Sequence, residues 1–311
     1  MSRILLVPML PIKHRYSAWW HRWWEKILKE ANFKVCVPQT GRPISPDPHL
    51  FTKVRDSIRH DLKVACWLLP RAKPHDVVVV LDAFWTGIPA IALTYLKLQV
   101  PSIKVVAYAH AGSYLYGDIT SGSEGHHKYE EALTQIYDLI FVASEYHKKK
   151  LLAAYPKTLV KVVGFPVVVP PIQAKKDARL TVLASVRSIQ KGLDKVETVT
   201  RLLKEAGLKV KVGAGLTQQA FWNLCARATY VISLAEEETF GLAVAEAVAL
   251  NCIPIVPNKA VYPELYPPQN LYDSIEQIKE TLQRAIKCGV PKLGDEKLVG
   301  KAIVDALSTL K

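Results

Sequence analysis

The feature that most constrains this chain is its rhythm. Short apolar runs alternate with longer amphipathic stretches, and the clearest run, Asp76-Val-Val-Val-Val-Leu81, places four valines in a row. Such a run cannot show one face to water, so it predicts a strand covered on both sides, as in a parallel sheet. Parallel neighbours cannot be joined by a tight hairpin; each pair needs a crossover, usually a helix. The pattern accordingly predicts strands over 3–7, 33–37, 76–81, 104–109, 139–143 and 159–163, with helices over 17–31, 51–69, 88–98, 125–137 and 145–154. Pro166-Val-Val-Val-Pro-Pro171 interrupts the alternation, which then starts afresh with strands over 180–185, 208–212, 230–234 and 253–256. Helices are expected over 193–206, 218–226, 242–250, 275–287 and 297–310. The 311 residues suit two doubly wound, Rossmann-like α/β domains, 1–168 and 169–295, with a last helix in 296–311 returning toward the first domain. Ligands of such sheets sit beyond the carboxyl ends of the strands, here in the cleft between the domains.

Composition narrows the class. The 41 basic and 28 acidic residues leave a formal charge of +13, which favours an anionic partner such as a nucleotide phosphate, an anionic membrane surface or an RNA. The five cysteines are odd in number and scattered, with no Cys-x-x-Cys pair, which argues against a disulfide framework or a zinc knuckle and points to a reducing cytoplasm. No stretch approaches the ~18 uninterrupted apolar residues of a membrane span. The expected location is therefore cytoplasmic, either free or peripheral at the inner membrane face. Oligomeric state is not legible.

The most informative segment is Glu238-Thr-Phe-Gly-Leu-Ala-Val-Ala-Glu246, where a strand turns into a helix. Amides at a helix start are unpaired and form an anion site, which makes Phe240, Gly241 and Leu242 candidate donor-binding residues. Gly241 has no Cβ to obstruct a ligand. One turn into the helix, the Glu246 carboxylate can accept both hydroxyls of a ribose, and Glu238, ahead of the helix, can reach a sugar hydroxyl. Arg187 and Lys191, in Ser185-Val-Arg-Ser-Ile-Gln-Lys-Gly192, can neutralise a diphosphate. With no Asp-x-Asp pair in the chain, a divalent metal on that diphosphate is not required, and no cofactor is expected beyond the substrate itself.

Two glutamates separated by seven residues around Phe-Gly, followed by Glu-Ala and a Pro-bearing strand, resemble glycosyltransferase family 4. The resemblance implies the GT-B fold and metal-independent hexosyl transfer with retention from a nucleoside-diphosphate sugar, GDP- or UDP-linked. It assigns Glu238 to the transferred sugar, Glu246 to the nucleotide ribose, and Arg187 and Lys191 to the leaving diphosphate. It also assigns His110, in Ala107-Tyr-Ala-His-Ala-Gly112, to the donor sugar across the cleft. The first domain departs from the pattern: Pro8-Met-Leu-Pro-Ile-Lys-His-Arg-Tyr16 holds no glycine where the family has a Gly-rich loop. His14, Arg15 and Trp19 are the candidates for the acceptor side there. Further along, Pro257-Asn-Lys-Ala-Val-Tyr-Pro-Glu264 resembles the branch that includes tRNA-queuosine mannosyltransferases.

The aromatic cluster Trp19-Trp20-His-Arg-Trp23-Trp24 reads two ways. Trp20, Trp23, Trp24, Ile27 and Leu28 fall on one helical stripe that suits packing on a sheet. Trp19 lies off the stripe between Arg15 and Arg22, as an interfacial or stacking aromatic would. Three functions stay open on these residues: transfer to a glycan, lipid or small acceptor; mannosyl-type transfer to a modified tRNA nucleoside; or an RNA- or membrane-surface-binding protein that keeps the GT-B fold without turnover.

Overall fold

The computed structural model describes residues 3–13, 15–39, 41–44, 50–84, 87–118, 120–184, 186 and 188–310. His14 and Arg187 lie outside these described residues, so their expected roles have no structural counterpart here. The first half of the chain runs β1 (Arg3–Val7), α1 (Trp20–Glu30), β2 (Lys34–Cys36), α2 (Leu50–Leu68), β3 (Val77–Val80), α3 (Gly87–Gln99), β4 (Lys104–Tyr108), α4 (Glu124–Thr134), β5 (Leu139–Val142), α5 (Glu145–Ala154) and β6 (Val160–Val162). After the extended linker come β7 (Asp177–Ala184), α6 (Val196–Glu205), β8 (Lys209–Val212), α7 (Gln218–Arg227), β9 (Ala228–Ser233), α8 (Leu242–Ala249), β10 (Ile253–Pro257), α9 (Tyr262–Leu265), β11 (Leu271–Tyr272), α10 (Ile278–Arg284) and α11 (Glu296–Ser308).

The strands form a six-stranded sheet, β2-β1-β3-β4-β5-β6, and a five-stranded sheet, β11-β10-β9-β7-β8. All the pairings are parallel, including Val78 with Leu5 on one side and Val105 on the other, so the valine run is buried on both faces. The strand order reverses between β1 and β3 in one sheet and between β7 and β9 in the other. Those are the places where crossovers diverge and leave a crevice at the carboxyl edge.

Helices α1 and α11 cover one face of the first sheet. Trp20, Trp24 and Leu28 are fully buried there and pack in one cluster with Val299, Ile303, Ala306 and Leu307 of the last helix. The tryptophan stripe is thus core. Trp19 is half-buried, edge-on to Trp20 and Phe165 at 6.0 and 6.5 Å between ring centres, and its indole nitrogen is shielded from solvent. It is not the exposed stacking platform that its position beside Arg15 and Arg22 suggested. The other face of the sheet carries α2, α3 and α4.

Several boundaries moved for local reasons. The first helix begins at Trp20 because Tyr16–Ala18 forms a separate 3-10 turn. Gly192 adopts a left-handed conformation, so residues 193–195 make a 3-10 turn before α6. The short α9 and β11, built from Tyr262-Pro-Glu-Leu265 and Leu271-Tyr272, were not anticipated. All five cysteines are unpaired, and among the described residues no helix is long and apolar enough to cross a membrane.

Candidate active site

The two carboxyl edges face each other across a cleft of about 520 Å³. Tyr108 to Ala111, at the end of β4, form part of its wall on the first domain, with Arg15 and Tyr16 from the loop after β1. The second domain contributes Gln190 and Lys191 after β7, Gly213 to Leu216 after β8, and Glu237 to Ala243 between β9 and α8, with Gln218 and Glu246 deeper in. Trp19 does not line it.

The turn into α8 is built on Gly241. Its φ of 70° is left-handed, and a Cβ there would lie 2.8 Å from the Tyr262 ring. The sequence suggested that this glycine leaves room for a ligand; the structure adds a second constraint, the Tyr262 ring packed behind it. Tyr262 is itself fixed by a 2.7 Å hydrogen bond between its hydroxyl and that of Ser233. No side chain caps the start of α8. Phe240 is buried against Phe165 at 5.9 Å, which ties this turn to the linker end of the first domain.

Glu238 and Lys191 meet in the cleft. Lys191 Nζ lies 2.8 Å from Glu238 Oε1 and donates to the Glu237 carbonyl at 2.7 Å. Both side chains are well buried, so the pair is screened far less than a surface pair. Glu246, one turn into α8, is 5% exposed and accepts from Gln218 Nε2 at 3.1 Å. Burial pushes its carboxyl up to about 7, with the Gln218 amide and the Trp222 indole acting in the opposite sense. A carboxyl with so few partners in so dry a place costs stability unless a ligand supplies donors.

On the facing wall His110 is enclosed by Tyr16, Trp20, Tyr108 and Phe165, with ring centres 4.7 to 5.8 Å away. This burial lowers its imidazole to about 4, so the ring is neutral near pH 7. Its Nε2 is 2.9 Å from the Leu81 carbonyl, an acceptor only, which puts the ring proton on Nε2 and leaves Nδ1 unprotonated.

The structure therefore gathers Glu238, Lys191, Phe240, Gly241, Leu242, Glu246, His110 and Arg15 around one cleft. It also adds residues that the sequence reading passed over. Gly213-Ala-Gly215 follows β8, and a Cβ on Gly213 would press on the Phe221 ring at 2.9 Å; a Gly-x-Gly directly after a strand was the available signal. Gln218, which holds Glu246, and the buried Glu237 had no such signal.

No family profile matches the chain. The fold does have close counterparts. Sucrose-phosphate synthase from Thermosynechococcus elongatus superposes with a TM-score of 0.61 at 12% identity, covering 100% of this chain and 95% of that one. The lipopolysaccharide outer core galactosyltransferase WaaB gives 0.57 at 11% identity, covering 100% and 99%. The architecture is GT-B. The pneumococcal O-GlcNAc transferase GtfA, solved with UDP and GlcNAc, is similar over 80% of this GT-B chain and 60% of its own, with a TM-score of 0.51 at 14% identity. In sequence, a stretch of 97 residues is 33% identical to tRNA-queuosine alpha-mannosyltransferase of Drosophila melanogaster. That stretch is 31% of this chain and spans only 25% of the fly protein.

Proposed function

We propose that this chain is a retaining hexosyltransferase that takes its sugar from a nucleoside diphosphate. The observation that carries the reading is the meeting of Glu238, Lys191 and Glu246 in one interdomain cleft at the switch point of the second sheet. Glu246 accepts the ribose hydroxyls, whose protons replace the water that a buried carboxylate lacks. Lys191 turns its charge to the diphosphate, joined by the amides at the start of α8, where the helix dipole favours negative charge. Arg187 takes the same role on the strength of its sequence position. Released from Lys191, Glu238 accepts from a hydroxyl of the transferred sugar, and His110 Nδ1 accepts from another.

Transfer then needs no separate base. The acceptor oxygen bonds to the anomeric carbon on the face that the diphosphate leaves. The carbon–oxygen bond to phosphate breaks, its electron pair stays on the diphosphate, and the acceptor proton passes to that leaving oxygen. Positive end charges around the diphosphate stabilise the charge that builds there, and preorganised stabilisation of this kind is commonly the largest contribution to rate. A metal is not part of this scheme.

For the acceptor, a modified tRNA nucleoside is favoured by a specific observation: the 33% identity over 97 residues to a tRNA-queuosine mannosyltransferase, together with the +13 charge. Glycans, lipids and small acceptors remain the wider class. A thermal-shift screen with UDP-, GDP- and ADP-sugars, followed by measurement of nucleoside diphosphate release, tests the donor half, because a ligand that binds the folded state raises its melting point. Stabilisation by one nucleotide family and steady release support transfer; binding without release supports the non-catalytic alternative; no binding to any of them removes the reading. Loss of tRNA affinity with rising salt would support the nucleoside acceptor, since phosphate contacts release counterions.

A further inference from the structure

Helix α5 of the first domain and its cap Ser144 hold the residues on either side of Glu238 at three points, and the second domain holds the start of α5 in return. The Glu264 carboxylate, from α9 of the second domain, accepts from the amides of Glu145 and Tyr146 at 2.9 and 3.0 Å, capping the start of α5 from across the interface. Ser144, fully buried, donates its hydroxyl to the Thr239 carbonyl at 2.7 Å while its oxygen caps the amide of His147. The Tyr146 hydroxyl donates to Glu237 Oε1 at 2.5 Å, and Lys150 Nζ lies 3.4 Å from Glu237 Oε2. At the end of β4, the Thr239 hydroxyl donates to the His110 carbonyl at 3.3 Å.

The pattern along three consecutive residues is what matters. Glu237 gives its side chain to the first domain and its carbonyl to Lys191; Thr239 gives both its carbonyl and its hydroxyl to the first domain. Glu238 sits between two residues tied across the interface, and its own carboxylate faces the cleft. None of these ties touches the cleft-facing atoms of Glu238 or Glu246. The Tyr-Pro-Glu run that stood out in the sequence finds its use here: Tyr262 backs Gly241 and Glu264 caps α5.

We propose that Glu264 and Tyr146 form an interdomain latch that sets the position of Glu238, so that the sugar-contacting carboxylate is correctly placed only when the two domains are engaged through α5. Both are positioning residues; neither reaches the space for substrate. The latch itself is independent of any activity, whereas its effect on turnover rests on the hexosyltransferase reading above.

The test uses the full chain and three variants: Tyr146→Phe, which removes one hydroxyl and keeps the ring; Glu264→Gln, which keeps the shape and loses the charge; and Glu264→Ala. Hydrogen exchange is measured first. In Glu264→Ala the amides of residues 145–147 and those of 237–242, on the opposite domain, should both exchange faster, by about tenfold for the loss of charge-assisted bonds, with a smaller rise in Glu264→Gln. Faster exchange confined to α5 would overturn the latch. Turnover is measured second, with the nucleotide sugar that stabilises the wild type. Tyr146→Phe should lower kcat about tenfold while the affinity for the free nucleoside diphosphate stays within about twofold, because the nucleotide contacts lie on the second domain. An unchanged kcat, or a matching loss of nucleotide affinity, would overturn the positioning role. If the wild type turns over no nucleotide sugar, the functional reading fails, and the exchange data still decide whether the latch exists.

Discussion

Replacing Glu246 by glutamine should make the protein more stable and a poorer binder of nucleotide. The carboxyl is 5% exposed and has Gln218 as its hydrogen-bond donor, and burial raises it from 4.5 to about 7. An acid that titrates higher in the folded state than in the unfolded one holds its proton more tightly when folded. Stability is therefore complete below the unfolded value and is lost as pH rises through the window from 4.5 to about 7. Each pH unit of that window is worth about 1.4 kcal/mol, so the buried charge costs about 3 kcal/mol above neutrality. The amide has the same shape, carries no charge to desolvate, and its carbonyl can still accept from Gln218. Urea denaturation of wild type and Glu246→Gln at about pH 5 and about pH 8 measures the difference. The variant's advantage should be below about 1 kcal/mol at the lower pH and near 3 kcal/mol at the higher. Its affinity for nucleoside diphosphate should fall by more than about tenfold, the scale of a charge-assisted bond. A difference independent of pH, or a variant less stable than wild type at the higher pH, would refute the claim that this carboxyl is held at a stability cost for binding.

Other perturbations separate the roles in the cleft. Glu238→Gln should reduce transfer by at least about a hundredfold while nucleoside diphosphate affinity changes little, because its contact is made to the sugar; steady-state kinetics beside calorimetry read the two effects apart. Lys191→Ala should weaken diphosphate binding more than about tenfold and leave the Glu237 carbonyl without its donor; unchanged calorimetric titrations would exclude it from the diphosphate site. Gly241→Ala should destabilise by about 3 kcal/mol, combining left-handed backbone strain with the collision against Tyr262, and a loss below about 1 kcal/mol in urea denaturation would contradict that account.

Much of the scaffold was legible because it is written in local patterns. Four consecutive valines at 77–80 admit few solutions other than a doubly covered strand, and Pro166 to Pro171 cannot continue a periodic element. The Glu238-to-Glu246 run was legible for the same reason: an apolar strand over 230–234 and a glycine at the start of an apolar helix announce a carboxyl-edge loop. What stayed hidden depends on which way side chains point in irregular segments. Glu236, Glu237 and Glu238 are three identical residues in a row, and no periodicity distinguishes them, yet one pairs with Lys195 and Lys259, one with Tyr146 and Lys150, and one with Lys191. Those partners come from elements 23 to 91 residues away, several of them across the interface. The second demand on Gly241, from the Tyr262 ring behind it, was not legible because Tyr262 approaches only in the folded second domain. His110 could be singled out as a strand-end histidine, but its neutral state follows from an enclosure in which residues 16–20 and Phe165 close over its own strand.

The most direct test is a crystal structure of the protein with the nucleoside diphosphate that stabilises it most. The account predicts ribose hydroxyls within about 3 Å of the Glu246 carboxylate and diphosphate oxygens at similar distance from Lys191 Nζ, with Glu238 freed toward the sugar position. A nucleotide bound anywhere else on the molecule, or one in the cleft whose ribose turns away from Glu246, would contradict it.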